Sequence, residues 1–143
     1  MGDAREVMGR VTAAMFGRDF DAAAACYAGS AVAVTPDQGE VRARDAVISY
    51  LRQQVEAFPD AGFESVHKHE SGNVAIDEGY FTGTHTVALP LPSGETVAPT
   101  GKQIRIRSCD LATVEGGLIT EHHFQFDQME FLEQLGLLQG AGS

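Results

Sequence analysis

The residues best suited to chemistry gather near the end of the chain, in "LITEHHFQFDQMEFLEQLGLL", residues 118–138. His122, His123, Gln125 and Asp127 stand there among Phe124, Phe126 and Met129. Titratable groups in apolar surroundings are costly unless they are satisfied or used. An imidazole exchanges a proton near neutral pH, and a carboxylate in a dry site gains basicity. Together they suit general acid/base catalysis. Ser108 and Asp110 in "IRIRSCDLATV", and His85 in "FTGTHT", are further candidates.

The elements that must position these residues follow from the pattern around them. Gly116-Gly117 reads as a two-residue hairpin turn, which pairs Val114 with Ile119. Counting back antiparallel sets Asp110 against His123, Ser108 against Gln125 and Ile106 against Asp127. One face then carries Ser108, Asp110, His123, Gln125 and Asp127. The other carries Leu111, Leu118, His122, Phe124 and Phe126. The first face is apolar near the turn and polar beyond it, as in the wall of a small-molecule pocket. On this pattern Asp110 and His123 are the pair to watch, Asp127 is a candidate proton-shuttling carboxylate, and Gln125 and Ser108 share their face. A second reading stays open, in which Asp110 and His123 form a structural hydrogen bond and Asp127 caps the last helix.

Further back, helices come first and strands later. Val7, Val11, Ala14 and Met15 lie at helical spacing from about Asp3 to Arg18, and a short second helix runs through "DAAAACYA". "AVAVT" reads as a strand, "DQGEVRARD" as a polar connector, and "AVISYLRQQVEAF" as a third helix capped by Asp45. From Phe63 the period becomes two, through "FESVHKHES", a turn at Gly72-Asn73, and the long strand "VAIDEGYFTGTHTVAL". "PLPSGETVAPTG" is a loop, and "DQMEFLEQLGLL" returns to helical spacing. The expectation is one α+β domain over residues 1–143, with helices packed on a curved antiparallel sheet.

Whole-chain numbers narrow the partners. A net charge of −10 argues against nucleic acid and anionic membranes. No apolar run approaches a membrane span, and "MGDAREVMGR" lacks an apolar signal core. Cys26 and Cys109 read as reduced thiols, which fits a cytoplasmic protein. His67 and His69 alternate with polar residues and have no third ligand in view, so no metal site is expected.

"FTGTHT", "PTGKQIRIRSCDLATVEGGLITEHHFQFDQMEFLEQLGLL", "GRDFDAAAACYAGSAVAV" and "FPDAGFES" together resemble the SnoaL-like polyketide cyclase family, within the NTF2-like superfamily. The resemblance implies a cone-shaped fold, with three helices closing a strongly bent sheet around a deep pocket. It implies cofactor-independent aldol closure of a hydrophobic ketone or ester, with an aspartate on the last strand as acid/base. Asp127 takes that position, with His123 as the second catalytic residue and Asp110, Gln125, His85 and Ser108 as substrate-binding groups. A non-catalytic pocket for a hydrophobic metabolite is the alternative. The resemblance also implies a homodimer or tetramer through the outer sheet face, where Leu111, Phe124 and Phe126 are expected.

Overall fold

The computed structural model describes residues 3–91 and 94–137. Pro92 and Ser93 of the expected loop, and Leu138 of the last helical stretch, lie outside the described residues. Helix α1 (Asp3–Phe16) buries Ala4, Val7, Met8, Val11 and Ala14, the three-to-four spacing that puts one stripe on the core. A short α2 (Phe20–Ala24) is capped by Asp19, whose carboxylate accepts from the Ala22 amide. Strand β1 (Tyr27–Thr35) and a short β2 (Gly39–Arg42) follow, then α3 (Arg44–Glu56) with Val47, Tyr50, Leu51 and Val55 buried.

The second half is built of β3 (Gly62–Ser71), β4 (Val74–Thr84), a small pair β5 (Leu89–Pro90) and β6 (Thr96–Val97), then β7 (Gln103–Glu115), β8 (Leu118–Phe126) and α4 (Gln128–Gln134). Six strands form one sheet in the order β2-β1-β8-β7-β4-β3. The sheet is mixed: β1 runs parallel to β8, and the other pairs are antiparallel. "DQGEVRARD", expected as a connector, contributes β2, because Gly39 at φ 69° turns the chain back on β1. Tyr27, expected at the end of a helix, opens β1 instead. Asp45 does not cap α3; Ala43 holds that position at φ 82° without a side-chain cap.

The sequence and the structure part most at the last hairpin. Val114 pairs with Ile119 across Gly116 and Gly117, both at positive φ, as expected. One step further the register slips: Thr113 pairs with Glu121, leaving Thr120 as an extra residue on β8. Asp110 therefore meets Phe124, and Ser108 meets Phe126. Because side chains alternate with period two, one extra residue moves every later side chain to the opposite face. His122, Phe124 and Phe126 turn inward, and His123, Gln125 and Asp127 turn outward.

The helices pack on the concave face of this sheet and leave two apolar clusters. The larger joins α1, α3 and the sheet through Met8, Tyr27, Leu51, Val114 and Ile119. The smaller gathers Phe58, Leu89, Ile104, Phe131 and Leu135. Gly79 on β4 makes room between them. A Cβ there would overlap the Glu64 carbonyl and come within 2.8 Å of the Phe63 ring, so only glycine lets Phe63 fold over the sheet. Among the described residues, no helix is long and apolar enough to cross a membrane.

Candidate functional site

Between the helices and the concave face lies a cavity of about 80 Å³. Its walls change character along the strands. At one end stand Asp77 of β4, Asp110 of β7, His122 of β8, Tyr27 of β1 and Tyr50 of α3. At the other stand Phe16, Phe63, Phe81, Phe126 and Phe131, with Ile106 and Ser108 between. The gradient follows from the strand sequences, since Asp77 precedes Phe81 by four residues and His122 precedes Phe126 by four, always on the inward face.

The polar end is a connected chain of groups. The Tyr27 hydroxyl lies 2.7 Å from His122 Nδ1, and His122 Nε2 lies 3.7 Å from Asp110 Oδ2. His122 is only 3% exposed, and Phe124 stacks on its ring at a centroid separation of 3.9 Å. Burial, followed by the charge of Asp110, pushes the Tyr27 phenol well above its usual range, so it stays protonated. Tyr27 has no other hydrogen-bond partner among the described residues, so its O–H donates to Nδ1. That assigns the His122 proton to Nε2, on the side of Asp110. At 3.7 Å this is not yet a hydrogen bond, and Nε2 is buried without a partner. Tyr50 donates to Asp37 at 3.0 Å; burial and then Asp37 raise its phenol far beyond the ordinary range.

The expected site residues divide. Asp110 and Ser108 line the cavity. His123 does not: it faces outward, 3.1 Å from Glu121. Gln125 is exposed on the same outer face. Asp127 is the N-cap of α4, accepting from the amides of Met129 at 3.0 Å and Glu130 at 3.2 Å. It lies outside the cavity wall. The expected inward set His123, Gln125 and Asp127 is thus replaced by His122, Phe124 and Phe126, and the cause is the bulge at Thr120. The same slip removes Phe124 and Phe126 from the outer face assigned to a partner; Leu111 stays on that face.

His85 also lies away from the cavity. It is fully buried, with Nδ1 taking the Thr100 amide at 3.1 Å and Phe58 beside its ring. Burial lowers its pKa. His67 and His69 are exposed, with ring centroids 5.9 Å apart. Among the described residues, no group of three His, Cys, Asp or Glu is arranged to hold a metal.

The overlooked members are His122, Tyr27 and Asp77. A usable signal was present for His122. Glu121, His123, Gln125 and Asp127 are all polar, whereas His122, Phe124 and Phe126 form the apolar phase. Ile119 belongs to the odd-numbered inward phase and Phe124 to the even one, and a bulge is what reconciles them. Nothing local marked Tyr27 or Asp77, which reach the site through strand pairings distant in the chain.

The SnoaL-like domain model matches residues 9–122. The chain belongs to that family. No curated protein matches the sequence. Among solved structures, a candidate SnoaL-like polyketide cyclase from Jannaschia sp. CCS1 superposes with a TM-score of 0.82 at 15% identity, covering 95% of this chain and 93% of that one. AclR, a candidate hydroxylase from Streptomyces galilaeus, gives 0.80 at 20% identity, covering 99% and 85%. IdmH, a candidate polyketide cyclase from Streptomyces antibioticus, gives 0.76 at 21% identity, covering 93% and 98%. At these identities the likeness establishes the NTF2-like fold of this SnoaL-like domain.

Proposed function

We propose that this SnoaL-like domain performs acid/base chemistry on a hydrophobic ketone or ester held in the interior cavity, with an intramolecular aldol closure as the leading reaction. The supporting observation is the polar end of that cavity. The Asp110 carboxylate has no hydrogen-bond partner among the described residues, and it faces the unpartnered, buried Nε2 of His122 on a wall that is otherwise mostly apolar.

In this reading Asp110 takes a proton from the carbon beside the carbonyl. The electron pair moves to oxygen, where His122 Nε2–H and the Ser108 hydroxyl stabilise the enolate. Closure on a second carbonyl of the same molecule forms a carbon–carbon bond and an alkoxide. Asp110 returns its proton to that alkoxide and is again a carboxylate. Asp110 and His122 thus take the roles that the family resemblance gave to Asp127 and His123. The cavity of about 80 Å³ is small beside the roughly 300–1,000 Å³ of common ligand sites, so a ring compound enters only as the aromatic walls move apart.

Hydrogen–deuterium exchange at the α-carbon of 2-indanone, followed by NMR in D2O, tests the first step without knowledge of the natural substrate. The wild-type chain is expected to accelerate exchange, and Asp110→Asn to abolish the acceleration while 2-indanone still binds. Binding without exchange in the wild type would favour a pocket that only holds its ligand. Equal rates for wild type and Asp110→Asn would remove Asp110 as the base.

A further inference from the structure

Below the proposed base lies a second carboxylate. Asp77 is 3% exposed and sits directly opposite Asp110 in the β4–β7 register, on the cavity side. Side chains opposite one another on adjacent antiparallel strands are close neighbours, with Cβ atoms about 4.5–5.5 Å apart. Two carboxylates so placed cannot both ionise freely unless a cation compensates one of them.

That cation comes from the first helix. Arg5 Nη2 lies 2.6 Å from Asp77 Oδ1, an ion pair without the alignment of a hydrogen bond. The same guanidinium donates through Nη1 to the carbonyls of His69 at 3.2 Å and Ile76 at 3.4 Å. The Arg5 amide donates to Glu70 Oε2 at 3.1 Å, which fixes where α1 begins against β3. Among the described residues, no lysine or arginine lines the cavity itself. The groups facing the two aspartates are therefore Arg5 from α1, His122 from β8, and the phenols of Tyr27 on β1 and Tyr50 on α3, with Cys109 beside Asp110 on β7 and Glu70 behind Arg5.

The geometry points to Arg5 and Asp77 as positioning residues for Asp110: Arg5 pairs with Asp77 and offsets its charge, which leaves Asp110 as the one uncompensated carboxylate of the pair. Without Arg5, two uncompensated carboxylates would face each other across adjacent strands. Arg5 thus does more than anchor a helix, and its first-turn position bears on the electrostatics around a residue more than a hundred places later. The inference rests on the reading of Asp110 as the base. Its test needs no turnover, so the two stand or fall separately.

The full chain, labelled with ¹³C at aspartate carboxyls, allows the Asp110 resonance to be assigned from the Asp110→Asn spectrum and titrated by NMR. Arg5→Met is expected to raise the Asp110 midpoint by about one pH unit or more, a tenfold shift in its proton equilibrium. Asp77→Asn is expected to move it the other way, because Arg5 then acts on Asp110 alone. The charge-free double variant Arg5→Met/Asp77→Asn is expected to return to within about 0.3 unit of wild type. A purely structural Arg5 would lower the melting temperature in Arg5→Met without this pattern of opposite signs and rescue. An unmoved Asp110 midpoint in folded Arg5→Met or Asp77→Asn overturns the inference, as does a double variant that stays shifted. Should neither single variant fold, the milder Arg5→Gln and Asp77→Ser take their place and are read against the same expected signs.

Discussion

Two histidines are buried among the described residues, and they resemble each other until their surroundings are compared. His122 is 3% exposed and His85 is fully buried. Each has one ring nitrogen engaged and an Nε2 without a partner. His122, however, opens onto a cavity and looks at a carboxylate, with a tyrosine fixing its tautomer. His85 takes an amide proton from Thr100 and is packed against Phe58, with its own carbonyl and amide tied to the loop at Gly101 and Lys102. The difference teaches that burial and an unused nitrogen do not make a site. A cavity and a titratable neighbour are needed as well.

The sharpest way to break the comparison is to insert one residue after Thr120. With the bulge still holding a single extra residue, the insertion shifts the rest of β8 by one pair, so Phe124 and Phe126 are driven toward solvent while Glu121 and His123 turn inward. The expected loss is of the order of the whole stability of a small domain, about 5–15 kcal/mol, seen as failure to give a cooperative thermal transition. A well-folded insertion variant would show that the phase set at the bulge does not select the inward set.

Next in size is Asp110→Asn, expected to lower 2-indanone exchange by about 10²–10⁴-fold. His85→Phe is expected to leave exchange within about twofold, since a histidine outside the cavity supplies no proton transfer. A large loss of exchange in His85→Phe, with its melting temperature unchanged, would erase the distinction between the two histidines.

Stability against pH separates them further. Burial holds His85 neutral in the fold, with its pKa below the usual value of 6.5. The folded state then binds fewer protons than the unfolded one. Its contribution is complete above the unfolded value and is lost as pH falls from there through the lowered folded value. Urea unfolding between pH 7 and pH 5 should show stability declining in the wild type and declining less in His85→Phe.

The smallest expected effects belong to the outer face of β8. Asp127→Ala should cost about 1 kcal/mol through the lost α4 cap and leave exchange unchanged. His123→Ala, which removes only an exposed contact with Glu121, should cost less than about 1 kcal/mol. Denaturant midpoints measure both. Loss of exchange in Asp127→Asn would restore the residue that the family resemblance favoured.

Much of the fold was legible in the chain. The stripes Val7–Val11–Ala14 and Val47–Leu51–Val55 announce helices because α-helical burial repeats every three to four residues. The Gly116-Gly117 turn and the inward face of β7, with Ser108 and Asp110, follow from turn chemistry and alternation alone. The site was only half legible. Counting from the turn assumed an unbroken ladder, and that single assumption exchanged His122 for His123 and moved Asp127 inward. The alternation of polar and apolar residues in "EHHFQFD" already argued for the opposite phase.

What the sequence settled by itself is therefore what depends on neighbours along the chain: the elements, the glycine turn, the family resemblance and the identity of one wall of the cavity. Tertiary structure decided what depends on distant partners. Tyr27 reaches His122 only because β1 lies parallel to β8, and Asp77 reaches Asp110 only through the β4–β7 register. Arg5 reaches Asp77 because α1 crosses the end of β4. Local pattern fixes which side chains share a face, whereas strand order and a one-residue bulge fix which faces meet across the cavity.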